Sequence, residues 1–265
     1  MAPPTPRGPP RRACLPTRLA GALLFASWAA LRLGSIHLAA ASFYPNPNTL
    51  ELADGVGMCY LDADHGRVKC WGEFAPSEFH CLTGIQRAAG ATNGTMGAAL
   101  PYVDLGTDAL AVTLVQGGAH TCAVLSDGRV KCWGLNDAGQ LFLGDVAYRG
   151  CSASDMGDAL PAADFGSNTS VVSVALGDRH TCAILADTVT GGVGLKCAGY
   201  NPDGRLGYRT VMVRSPAGDA LPYVDLGTGQ QPLAVAAGAL HTCVVLASGI
   251  KCFGAPSSLE RGRAQ

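Results

Sequence analysis

No aspartate or glutamate occurs before Glu51, although Arg7, Arg11, Arg12, Arg18 and Arg32 all precede it. Charge is scarce throughout, at 15% of the 265 residues, and aromatic side chains make up only 6%. A formal net charge of -1 gives no electrostatic reason to expect nucleic acid as a partner, because phosphate binding draws on clustered Lys and Arg. The sequence contains no GxxxxGK[ST] phosphate loop, no HExxH zinc helix and no GxSxG nucleophile elbow. The expectation is a chain that is not an enzyme and uses no cofactor. Beyond residue 50 no segment carries a long apolar stripe of helical period, which argues against a helical body.

The one-sided charge of the first fifty residues is a targeting signature. Residues 19–31 (LAGALLFASWAAL) match the length of a signal-peptide apolar region, and Ala39 and Ala41 offer an A-x-A cleavage pattern. The run is shorter than the roughly twenty apolar residues that span a bilayer. Residues 1–41 are therefore expected to be a helical signal peptide or signal anchor outside the folded body. An organelle transit peptide is the alternative, because Arg32 interrupts the apolar run before the cleavage pattern. Eleven cysteines favour an oxidising compartment. Asn93-Gly94-Thr95 and Asn168-Thr169-Ser170 fit the N-glycosylation acceptor pattern. The expected location is secreted or extracellular surface, with membrane contact only if the N-terminal segment is retained.

With 48% hydrophobic residues and 35 glycines, the rest of the chain can bury a sizeable core, and it is repetitive. His120-Thr121-Cys122 recurs as His180-Thr181-Cys182 and His241-Thr242-Cys243. Downstream of each stands Lys131-Cys132-Trp133-Gly134, Lys196-Cys197-Ala198-Gly199 or Lys251-Cys252-Phe253-Gly254. A degenerate first copy has Cys59 and then Lys69-Cys70-Trp71-Gly72. A third mark reads MGAALPYVDLG from Met96, MGDALPAADFG from Met156 and GDALPYVDLG from Gly218. The units fall near 50–105, 106–165, 166–227 and 228–254, within a repeat domain of residues 42–254 followed by a tail at 255–265.

Short β-prone runs such as VTLVQGG and VVSVALG lead into HTCAVL and HTCAIL, and Ser126-Asp127-Gly128 or an equivalent turns the chain into the lysine-cysteine strand. Pairing Cys122 with Cys132 leaves a three-residue loop, and the opposition survives the longer loop between Cys182 and Cys197. Directly opposed antiparallel residues lie within reach of a disulfide. The expected bonds are Cys59–Cys70, Cys122–Cys132, Cys182–Cys197 and Cys243–Cys252, each contributing roughly 2–3 kcal/mol. Cys81 and Cys151 remain, as candidates to pair across neighbouring units. Zinc is the rival reading of His-x-Cys, but no fourth ligand recurs, so the histidines are read as hydrogen-bonding or packing residues. Asp62-Ala63-Asp64-His65-Gly66 is read as a hairpin turn rather than a calcium loop, and Asp104, Asp164 and Asp225 as turn residues before glycine.

The unit from His120 to Asp145 resembles the repeat of the regulator of chromosome condensation family, which also includes a bacterial β-lactamase-inhibitory protein. Asn136-Asp137-Ala138-Gly139-Gln140-Leu141 and Asn201-Pro202-Asp203-Gly204-Arg205-Leu206-Gly207 carry the likeness best, over about residues 50–254. The resemblance implies an all-β, partial or open β-propeller of three to four four-stranded blades, here three blades and the inner hairpin of a fourth. Family members act as guanine-nucleotide exchange factors for small GTPases, as inhibitors or as binding platforms. The leading expectation is a non-enzymatic scaffold for a protein or glycan ligand, with recognition in loops 73–94, 142–155 and 208–218. An intracellular regulator of a small GTPase is the alternative. An unclosed propeller leaves edges that invite a homodimer completing the ring.

Overall fold

The computed structural model describes residues 50–52, 57–72, 94, 96–208 and 216–255. Among these, twelve strands form four antiparallel three-stranded sheets, each in chain order. The first sheet holds β1 (Leu50–Leu52), β2 (Met58–Asp62) and β3 (Arg67–Trp71). The second holds β4 (Ala111–Gln116), β5 (His120–Leu125) and β6 (Val130–Gly134), and the third β7 (Thr169–Leu176), β8 (His180–Asp187) and β9 (Val193–Gly199). The fourth holds β10 (Pro232–Ala237), β11 (His241–Leu246) and β12 (Gly249–Gly254). It is as complete as the others, not a bare hairpin. The N-terminal apolar segment lies outside the described residues, among which no helix is long and apolar enough to cross a membrane.

The fourth strand of each expected blade is replaced by something looser. After a single 3-10 turn (Gly97–Ala99, Gly157–Ala159 or Gly218–Ala220) the chain runs extended past Pro101, Pro161 or Pro222. Proline has no N–H to give to a ladder. A main-chain bond then reaches the neighbouring strand from Val103 to Val68, Ala163 to Val130 and Val224 to Leu195, each at 2.7 Å, and in the second unit Ala162 forms an isolated bridge with Lys131. Asp104, Asp164 and Asp225 next bend the chain away, each accepting the N–H two residues on at 2.9 Å.

The inner strands share another irregularity: the register of β4, β7 and β10 shifts at Val112, Val172 and Leu233. One extra residue at the same place in three strands is a repeated β-bulge, which sharpens local twist. Each β5–β6 type hairpin keeps strict opposition, with Cys122 facing Cys132 and, across the longer 188–192 loop, Cys182 facing Cys197.

Side chains alternate between the two faces of each sheet, and both faces of the middle sheets are buried. Cys59, Leu61, Val68 and Cys70 pack with Ala123, Leu125 and Trp133. The opposite face of the second sheet, Cys122, Val124, Val130 and Cys132, packs with Leu176, Ala183, Leu185 and Ala198. Cys182, Ile184, Leu195 and Cys197 meet Val244 and Leu246 of the fourth. Full burial of each large aliphatic side chain stabilises by about 1.5–3 kcal/mol, so the core is a series of junctions between sheets.

At the rim, the lysines of the second and third Lys-Cys marks each tie two units together. Lys131 Nζ donates to the carbonyls of Leu105 (2.7 Å) and Gly157 (2.8 Å), and Lys196 Nζ to those of Phe165 and Gly218, both 2.9 Å. Both lysines are buried, and burial holds their ammonium pKa below the usual range. Replacing Lys196 with methionine keeps the stem and strands two carbonyls. We expect a loss of about 2–4 kcal/mol, read as a lowered midpoint in urea unfolding; an unchanged midpoint would refute the lysine's role as a tie.

Candidate functional site

The inner ends of the sheets are held by main chain coming into close contact. Gly117, Gly177 and Gly238 precede the three His-Thr-Cys marks. A Cβ on Gly177 would collide with the His180 ring and the Gly238 carbonyl, and one on Gly117 with the Gly177 carbonyl. Only glycine permits this approach, and Gly118 N–H donates to the Gly177 carbonyl across it at 3.2 Å.

Directly behind these glycines, His120 Nε2 bonds Thr181 Oγ1 at 2.6 Å and His180 Nε2 bonds Thr242 Oγ1 at 2.9 Å, both buried. Thr242 Oγ1 donates onward to the Arg205 carbonyl at 2.8 Å. Each histidine thus grips the threonine of the next unit. Burial first, and then its neighbour His180, lower the His120 pKa to about 3. Burial first, then Arg205 and His241, lower that of His180 to about 4, with Asp203 opposing. Both rings are neutral at neutral pH, and their Nδ1 atoms are buried with no hydrogen-bond partner.

In front of the glycines lies a cavity of about 250 Å³ lined by Gln116, Gly118, Asp178, Ala237 and Ala239 besides the glycines. Its edge is stiffened by turns that reach over from the preceding unit. Arg179 pairs with Asp137 and lies over the Tyr200 ring at 4.7 Å; Arg205 pairs with Asp203, lies over the same ring at 5.4 Å and donates to the Ala239 carbonyl at 3.1 Å. Asn136 and Asn201 anchor these turns by accepting the N–H of Leu141 (3.0 Å) and Leu206 (2.9 Å).

The loop after β6 is equally well tied. Asn136 Nδ2 donates to the carbonyls of Asp145 and Ala147, each at 3.0 Å, and Arg149 pairs with Asp145 at 2.6 Å. Loops 73–94 and 208–218 fall mostly outside the described residues. At the outer rim a second cavity, about 330 Å³, lies between the β8–β9 loop and Tyr223, with Asp187, Thr190 and Gln230 on its walls.

The candidate residues named from sequence fall in three places. The eight hairpin cysteines form four bonds, Cys59–Cys70, Cys122–Cys132, Cys182–Cys197 and Cys243–Cys252, with Cα separations of 4.0–4.1 Å. Cys151 is also disulfide-bonded, and Cys81 lies outside the described residues. With these sulfurs oxidised and the histidines engaged by threonine, no group of three metal-ligating side chains stands together among the described residues. Asn168 is exposed at a turn with φ 56°, its carbonyl accepting from Thr188 N–H at 2.8 Å; Asn93 lies outside the described residues. The Asp62–Gly66 segment is the β2–β3 turn, closed by His65 Nδ1 on Asp62 at 3.0 Å.

Sequence reading missed the rim latches, in which Asp158 accepts from Thr107 N–H (2.8 Å) and hydroxyl (2.7 Å), and Asp219 does the same for Ser167 at 2.9 Å. The available signal was the aspartate of the repeated Gly-Asp-Ala-Leu-Pro, Asp158 and Asp219.

The two neutral histidines set a pH dependence. Their folded pKa values lie below the unfolded value near 6.5, so their contribution is complete above pH 6.5 and declines as pH falls toward 4 and then 3. We expect unfolding free energy to drop by about 1.4 kcal/mol per pH unit per histidine in that window. Thermal melts from pH 7.5 to 4 check this; a flat profile in the wild type, or one unchanged by His120→Gln with His180→Gln, would disprove it.

A family model described as the regulator of chromosome condensation (RCC1) repeat matches residues 111–140. No curated protein matches. Among solved structures, yeast RCC1 (Prp20) with Kap60 bound superposes with a TM-score of 0.54 at 18% identity, over 78% of this chain and 43% of that one. Human WBSCR16 gives a TM-score of 0.52 at 18% identity, over 75% of this chain and 45% of that one. The chain therefore spans less than half the length of either. Residues 111–140 thus match the regulator of chromosome condensation repeat, and the array of sheets around them has the β-propeller fold of these two solved structures.

Proposed function

We propose that the chain is a non-enzymatic scaffold, secreted or displayed on the cell surface, that binds a protein partner through loops carried on rigid, disulfide-clipped sheets. The observation that carries the reading is the recurrence of one facing cysteine pair at the same register in all four sheets. Six of those eight cysteines are fully buried. Buried disulfides suit an oxidising compartment, where they persist, and poorly suit the cytosol.

Recognition on this scaffold falls to what differs between units: the tied loop 142–155, the β8–β9 loop and the rim cavity beside Tyr223. Loops held by many internal bonds cost little order on binding, which favours affinity. A protein partner is supported by analogy with yeast RCC1, whose solved structure holds Kap60; fold likeness alone is a weak warrant for a particular partner. The competing reading, an intracellular regulator of a small GTPase, draws on the same likeness.

One measurement separates the two. The full chain is expressed in its secreting host and alkylated at once without reduction, and medium and lysate are digested separately. We expect the protein in the medium, with linked peptides for Cys59–Cys70, Cys122–Cys132, Cys182–Cys197 and Cys243–Cys252 and glycan on Asn168. A chain kept in the cell with mostly alkylated cysteines would overturn the reading and favour the GTPase regulator.

A further inference from the structure

Each sheet turns one face toward the preceding unit and the other toward the following one. On the second and third sheets the forward face is covered: Val124 and Val130 are 4% and 1% exposed, Ile184 and Leu195 1% and 0%. On the fourth sheet the same two positions are Val245, 39% exposed, and Ile250, 69% exposed. Cys252 beside them is exposed, whereas its counterparts Cys132 and Cys197 are fully buried. His241 occupies the place from which His120 and His180 grip the next threonine, with no such threonine before it among the described residues. The forward face of the fourth sheet thus has the shape and register of a junction with one side missing.

The rearward face of the first sheet differs in kind. Where later units carry Thr, Ala and Leu, it has Met58, Tyr60 and Asp62. Tyr60 and Trp71, with Met96, Leu100 and Tyr102, line a cavity of about 370 Å³ that is mostly apolar, with Asp62 and Lys69 also on its walls. Tyr102 and Met96 are 41% and 45% exposed at its mouth. One end of the array offers a projecting isoleucine and valine, and the other a recess with aromatic walls.

We propose that the forward face of the fourth sheet seats against the rearward face of the first sheet in a second copy of this chain, so that two chains close on one another. Two observations select a second copy. The contact continues the sheet-on-sheet junction found three times within the chain. The two faces differ in shape as the two sides of a junction would: Val245 and Ile250 project from one, and the other is recessed between Tyr60, Trp71 and Tyr102. The contact is heterologous, and a two-fold axis repeats it once and closes it, avoiding an open filament. Because Met58 replaces the threonine, this junction has no His–Thr bond and rests on apolar packing.

The test uses the full chain and two variants at exposed positions, Ile250→Lys on one face and Tyr102→Glu on the other, with thermal melts showing that each folds. Light scattering behind gel filtration is expected to give twice the chain mass for the wild type and the single-chain mass for each variant. An equimolar mixture of the two variants retains one intact junction per pair, and we expect it to regain the doubled mass. A single-chain mass for the wild type would overturn the proposal and leave the face to a different occupant. A doubled mass that survives Tyr102→Glu would overturn it in favour of contact between two fourth sheets, and a ladder of larger masses in favour of open polymerisation.

Discussion

A three-stranded sheet in this protein has two apolar faces and cannot fold alone: each face needs a neighbouring sheet. Everything else in the structure serves that junction. The close glycines at Gly117 and Gly177 let the inner ends converge, and the His–Thr bonds fix the register of one sheet on the next. At the rim, Lys131 and Lys196 each hold one carbonyl of the preceding unit and one of their own. A junction is therefore stitched at both ends, with aliphatic side chains and disulfides between.

The disulfides lie within this scheme rather than beside it. Cys122 and Cys132 sit on the face that meets the third sheet, packed with Leu176, Ala183 and Leu185, so the bond is part of the junction as well as a clip across the hairpin. A buried half-cystine packs as a small hydrophobe. The pair contributes apolar contact in addition to chain constraint, and this explains why the same positions recur although the turns between them differ in length.

How much of this could be seen in the sequence depended on distance along the chain. Hairpins were legible because Asp127-Gly128 and the facing cysteines are local signals, and Asp104, Asp164 and Asp225 announce their turns within two residues. The expected fourth strand does not form because the extended runs after Pro101, Pro161 and Pro222 look β-prone while touching the neighbouring strand at a single point each. Tyr200 between two guanidiniums and Asp158 on Thr107 were invisible, since their partners come from different units and no local pattern joins them. The lysines were seen to recur, yet nothing in the sequence said that a recurring cation would be buried on carbonyls.

The relay of hydrogen bonds also has a direction. The first unit has Gly57 and Met58 where later units have His and Thr, so no histidine reaches Thr121, whose buried hydroxyl has no partner. Leaving such a group unpaired costs about 1–3 kcal/mol, which makes the first junction the weakest of the three in polar terms. The aromatic and apolar material at that end, Trp133 against Cys59, Leu61 and Cys70, offsets the loss by burying a large ring. Opening of the array should therefore begin between the first and second sheets, and the His–Thr grip should keep the second, third and fourth together after the first has come away.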